Sequence, residues 1–230
     1  MRKLFLSLAI CLVSITAMAQ NKMDVQLSDI KKLEVSGNIV LKISNDEQSW
    51  LSGDVDAEVS KDLSWQINDV NTLILKLKKT MFQSKEDVKS IVLYLTINDL
   101  KELDVTNGAT ILSDSTLIFE SIKIDVDGKS TVRMDMEALA TVINCSNKSK
   151  VVLKGTSNFV SVKSRYSSTV QIEKLKAEYA VADASVSAEI FVNASQVVTP
   201  IVSTNGNIFY KKHAKVVIPL SGNTENIVAY

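Results

Sequence analysis

Cysteine, proline and histidine are nearly missing from this 230-residue chain, which holds two, two and one of them. Cys11 lies in an apolar N-terminal stretch, so Cys145 stands alone beyond it and no internal disulfide can form there. The single histidine, His213 in Lys211-Lys212-His213, excludes a His/Cys metal set. It reads as an exposed residue of a basic turn rather than a general base. With only Pro200, Pro219 and seven glycines, no Pro/Gly/Ser-rich linker divides the chain. The formal net charge is zero, so nothing suggests nucleic acid or an anionic membrane as partner. No nucleophile elbow, Walker loop or dinucleotide-binding glycine motif occurs. The sequence therefore implies no cofactor and no metal.

Long apolar runs are also lacking, apart from the first 19 residues. Arg2 and Lys3 form a basic start, Leu4 to Ile15 an apolar stretch, and Ala17-Met18-Ala19 a small-residue cleavage signal before Gln20. This is the pattern of a secretory signal peptide. The run is too short to cross a bilayer, which takes about 18 or more apolar residues. Leu8-Ala9-Ile10 before Cys11 is a poor lipidation signal, because Ile10 is bulky at the cleavage position. Export to the periplasm, the outer membrane or beyond is the expected destination. Without Arg2 and Lys3, residues 20–230 carry two net negative charges.

What the chain does have is a repeat. From residue 101 onward, two alternate apolar residues, a short polar turn and two more apolar residues recur. The first anchors are Leu103, Ile124, Ile143, Val162, Ala182 and Pro200, a period of about 19–20 residues. The third anchors, Ile111, Val132, Val151, Val170, Ile190 and Ile208, each follow eight residues later. Two short strands per unit at this period make stacked β coils. The second anchors, Val105, Val126, Cys145, Ser164, Ala184 and Val202, are expected in one interior column, so Cys145 reads as a small buried hydrophobe. Asn107-Gly108, Asp127-Gly128 and Asn205-Gly206 are turn pairs that accept positive φ.

Residues 20–100 are less regular. Leu33 and Val35 reach Leu41 and Ile43 at the same offset of eight. Leu63–Ile67 and Leu73–Leu77 alternate on either side of Asn68-Asp69-Val70-Asn71, a hairpin signal. Residues 78–89 are polar and read as a loop; Ile91, Leu93, Leu95 and Ile97 mark another strand. No long stretch shows helical periodicity. The expectation is one all-β solenoid domain over 20–230, with 20–100 as a less regular cap that shields the end strands.

The residue between the first two anchors of each coil points outward. That row reads Asp104, Asp125, Asn144, Lys163, Asp183 and Ile201. Neighbouring coils lie about 4.8 Å apart. Asp104 and Asp125 would then be stacked like charges, mildly destabilising. The first five residues are the candidate binding row, read against the plainer alternative of a solvated solenoid surface. Used as an acid/base pair, Asp104 and Asp125 would resemble a glycosidase site, but equivalent positions on adjacent coils offer no source of distinct pKa values. Asp54, Asp56 and Glu58 read as a charged turn, lacking the glycine and distal glutamate of a calcium loop. Trp50 and Trp65 are expected to plug the cap, with sugar stacking as the alternative.

Several segments resemble a known family, the putative auto-transporter adhesin, head GIN domain, common among exported Bacteroidota proteins. They are Leu33–Ile39 with its small-residue turn, Ile67–Leu75 with its hairpin, Ser203–Tyr210 and Ser221-Gly222-Asn223. The order and spacing carry the likeness over nearly all of residues 20–230. The chain departs from it where Asn147-Lys148, Tyr166-Ser167 and Val186-Ser187 stand in place of Ser/Gly pairs. The resemblance implies a right-handed β-helix-like fold and brings no catalytic residues. The expected role is a non-enzymatic adhesion, binding or envelope-scaffold module, with polysaccharide or another envelope protein as candidate partner. A carbohydrate-active enzyme is the alternative, and a lipid-anchored subunit of a larger assembly a third reading.

Overall fold

A computed structural model describes residues 21–78, 90–217 and 224–230. The leader with Cys11, the polar stretch 79–89, Pro219 and Ser221-Gly222-Asn223 lie outside the described residues. The N-terminal part forms β1 (Asn21–Gln26), β2 (Lys32–Ser36), β3 (Ile39–Asn45) and β4 (Trp50–Val55). After the one-turn helix α1 (Ala57–Ser60) come β5 (Leu63–Ile67), β6 (Thr72–Leu77) and β7 (Ile91–Ile97). The repeats form β8 (Glu102–Thr106), β9 (Thr110–Val126), β10 (Thr131–Cys145), β11 (Lys150–Ser164), β12 (Thr169–Ala184) and β13 (Glu189–Val202). Short strands β14 (Asn207–Tyr210), β15 (Lys215–Val216) and β16 (Ile227–Ala229) follow.

The fold is a β-solenoid, and the anchors stack as their spacing predicts. Leu33 pairs in parallel register with Leu103, Leu103 with Ile124, then Ile143, Val162, Ala182 and Pro200 in turn. The second-anchor column, Val105 through Val202, is buried throughout. Each fully buried Val, Leu or Ile contributes about 1.5–3 kcal/mol of hydrophobic stabilisation. Ser164, the polar member, is satisfied by a hydrogen bond with the Ser168 hydroxyl at 2.8 Å.

Two features depart from the simple repeat. The third and fourth anchors of one coil and the first two of the next lie on a single long bent strand, as Val132, Met134, Ile143 and Cys145 do on β10. Register shifts within the bends, between Arg133 and Asp135 and between Val152 and Lys154, absorb unequal repeat lengths without moving the anchors. Chain order and spatial order also part company in the cap. β6 and β7 form a coil that stacks on the outer side of β2 and β3, so Leu33 lies between Leu73 and Leu103. β5 and β4 then add antiparallel to β6 and β7, and β1 adds antiparallel to β4.

From β8 to β14 every tight turn between successive strands is left-handed at two residues. The pairs are Asn147-Lys148, Tyr166-Ser167 and Val186-Ser187, with φ from 51° to 63°, alongside Asn107-Gly108. Two of the expected pairs are shifted by one residue, to Gly128-Lys129 and Thr204-Asn205. In five of these six turns the N–H three residues after the turn start closes the loop, as from Ser149 to the Ser146 carbonyl at 3.2 Å; in the sixth the Ser130 hydroxyl donates to the Asp127 carbonyl at 2.6 Å instead. Positive φ at both central residues together with that closing N–H bond is the signature of the mirror-image type I turn. The loss of turn glycines therefore changes local strain and leaves the turn type intact.

Candidate functional site

The outward row is real as a geometric object. In-register pairing places Glu34, Asp104, Asp125, Asn144, Lys163, Asp183 and Ile201 side by side on successive coils. Its acidic part opens on a trough of about 370 Å3 whose lining includes Glu34, Lys76, Asp104, Asn107, Asp125 and Asp127.

The stacked carboxylates are partly offset by two lysines that sequence reasoning missed. Lys32 on β2 reaches Asp104 at 2.7 Å and Glu34 at 3.2 Å. Lys123 on β9 reaches Asp125 at 2.7 Å, and the Asn144 amide donates to the same carboxylate at 2.6 Å. Lys123 and Asp125 are two apart on one strand, so they share a face; that signal was present in the alternation. Lys32 needed the cap's stacking order to be known. Asp127, also missed, accepts from the Ser146 hydroxyl and from the Asn147 amide.

The two aspartates are not equivalent, which corrects the expectation. Burial pushes the Asp104 carboxyl up, and neighbouring Asp125 adds to this, outweighing Lys32. Burial also acts upward on Asp125, yet Lys123, Asn144 and Asp104 together hold it below the ordinary carboxylate value. Lys32 is held well above its usual value, chiefly by its hydrogen bond to Asp104. The source of asymmetry is the position in the stack: Asp125 has both a lysine and an amide donor, while Asp104 shares one lysine with Glu34 and Glu102. The lower row differs again. Lys163 and Asp183 adjoin in register, and no ion pair joins them among the described residues.

The remaining candidates fall mostly to their plainer readings. Asp56 caps α1, accepting the Glu58 N–H at 2.8 Å. Cys145 is buried, and burial pushes its thiol up to about 11. His213 is exposed in a turn. Among the described residues no cluster of three His, Cys, Asp or Glu side chains is arranged for a metal. Trp50 and Trp65 do not plug the cap as fully as expected, being 37% and 39% exposed. The Trp50 indole donates to Asp24. No helix among the described residues is long and apolar enough to cross a membrane.

Comparison with known proteins agrees with this architecture. Residues 29–214 match the sequence model of the family described as "Putative auto-transporter adhesin, head GIN domain". No curated protein sequence matches the chain significantly. Among solved structures, a "putative adhesin" from Bacteroides fragilis superposes with a TM-score of 0.75 at 18% identity, over 92% of this chain and 95% of that one. A "putative adhesin" from Parabacteroides distasonis gives 0.63 at 15% identity, over 93% and 95%. A "putative lipid binding protein" from the same species gives 0.57 at 16% identity, over 91% and 97%.

Proposed function

Since the chain belongs to the putative auto-transporter adhesin, head GIN domain family, we propose that it is an exported, non-enzymatic module that binds a partner in the cell envelope or beyond. The observation that carries this reading is the stacking itself. In-register coils turn single outward residues into straight rows that run along the solenoid. Such rows suit an extended ligand, which can make the same contact at successive coils. The leader-like first 19 residues support export. Asp104, Asp125, Asn144, Lys163 and Asp183 are one surface on which such a ligand would lie.

A carbohydrate-active enzyme is the second reading, and one observation favours it. Asp104 is shifted up and Asp125 down, the division that an acid and a base require. The experiment combines a glycan array with a reducing-sugar assay on each glycan bound. The module reading expects binding without new reducing ends. Turnover abolished by Asp104→Asn or Asp125→Asn would replace it with the enzyme, and a blank array would remove the glycan-binding form of it.

A further inference from the structure

The turn side of the solenoid carries an open groove of about 610 Å3 that meets the acidic trough at Asn107. Its lining includes Gly108, Gly128, Lys129, Lys148, Tyr166 and Val186. Backbone bonds keep the turns in a straight ladder. The Lys129 N–H donates to the Asn147 carbonyl, the Lys148 N–H to that of Tyr166 and the Ser167 N–H to that of Val186, each at 3.0 Å. The groove therefore repeats at the coil spacing of about 4.8 Å.

Three observations say what it would hold. The first is charge. Lys129 and Lys148 sit in register on adjacent turns and line the same groove, and among the described residues neither has a carboxylate partner. Stacked like charges are unfavourable unless an anion lies between them. The second is strain. Tyr166 and Val186 occupy left-handed backbone at φ 54° and 51°, where a bulky or β-branched residue is an outlier. Asn107-Gly108 makes the same turn with residues suited to it, so the fold does not demand those side chains. Strain held at a surface points to what the side chains do there. The third is shape. A Cβ at Gly108 would meet nothing within 4 Å, so one end of the groove has an open backbone floor. Toward the other end Tyr166 is 52% exposed.

We propose that this groove binds a linear acidic polysaccharide laid along the coil axis, with Lys129 and Lys148 on its acid groups and Tyr166 against a sugar ring. This rests on the binding-module reading and gives it a ligand class and a surface. Polygalacturonate and dextran sulfate are the probes, measured by calorimetry against the full mature chain. At least one binds, with affinity falling as salt rises. Lys129→Gln with Lys148→Gln weakens binding by about tenfold, the scale expected for charged contacts near solvent. Tyr166→Asn, which tolerates left-handed backbone, weakens it several-fold while the melting temperature holds or rises as the strain at Tyr166 is relieved. Lys176→Gln, in a separate depression beside His213, leaves it unchanged. Failure of both polymers to bind overturns the proposal, as does full affinity in the double lysine variant. Lysine-dependent binding of poly-glutamate or of phosphatidylglycerol vesicles as tight as that of the polysaccharides overturns it in favour of another polyanion. If a polymer binds but ignores the groove variants, the surface is wrong and the module reading stands.

Discussion

Replacing Gly155 by alanine, within a strand, should cost this fold more than the same change at the open turn residue Gly108. Gly155 lies within β11, opposite Met136 of the neighbouring coil, with φ at +112°. A Cβ there would sit 2.0 Å from the Met136 carbonyl oxygen and 3.0 Å from its carbon, both backbone atoms of the neighbouring coil. Neither can move without breaking the ladder between β10 and β11. Two costs add: about 1–3 kcal/mol for the disfavoured backbone conformation and about 1–3 kcal/mol for overpacking. At about 2–4 °C per kcal/mol for a chain of this size, the melting temperature falls by roughly 5–20 °C. Gly108→Ala is the matched control. Its φ is +87°, yet its Cβ would meet nothing within 4 Å, so only the conformational cost applies. Thermal unfolding followed by circular dichroism measures both. If Gly155→Ala melts within a degree or two of Gly108→Ala, the close approach of the two coils is not what excludes a side chain there.

Asp104→Asn and Asp125→Asn should move stability in opposite directions at neutral pH, each by under about 1 kcal/mol because both side chains are partly exposed. The raised pKa of Asp104 means its ionisation disfavours the fold above that pKa, so Asp104→Asn stabilises slightly and the gain disappears on acidification. The lowered pKa of Asp125 contributes stability that is present above its unfolded value and lost as pH falls through the folded one, so Asp125→Asn destabilises. Urea titrations at neutral and acidic pH check the signs, and equal effects from the two variants would contradict the inequivalence described here. Cys145, buried with its thiol pushed up to about 11, should resist a thiol reagent in the native protein and react fully in denaturant. Rapid native labelling would show that its coil opens freely.

The repeat was legible because a coil must bury the same positions every time. The offset of eight between Leu103 and Ile111 recurs from coil to coil, and the register pairs those residues with their counterparts. The hairpin at residues 63–77 was legible for a similar reason, since alternation on both sides of a polar turn leaves few other pairings. The bends were harder to read. Near Arg133–Asp135 the register shifts, and between Ala138 and Thr141 the buried side of the strand changes parity; neither event has a fixed local signature.

The candidate row was readable as a list and misread as chemistry. Sequence placed Asp104 above Asp125, but the charge of each depends on Lys32, Lys123 and Asn144, and Lys32 arrives from a strand some seventy residues earlier. The turn groove was harder still. Tyr166 and Val186 look like poor turn residues in the sequence, and only the stacked turns bring them into line with Lys129 and Lys148.

By itself, then, the sequence determined the all-β class, the coil period and the inward and outward alternation. Those follow from local chemistry, because a strand's two faces and a turn's φ values are set within a few residues. The tertiary structure alone decided the order of coils in the cap, the partners of the acidic row and the alignment of the turns. Such features depend on which distant segment stacks against which. The hydrogen bonds that join one coil to the next are the same for any strand, so register and side-chain packing choose the neighbour.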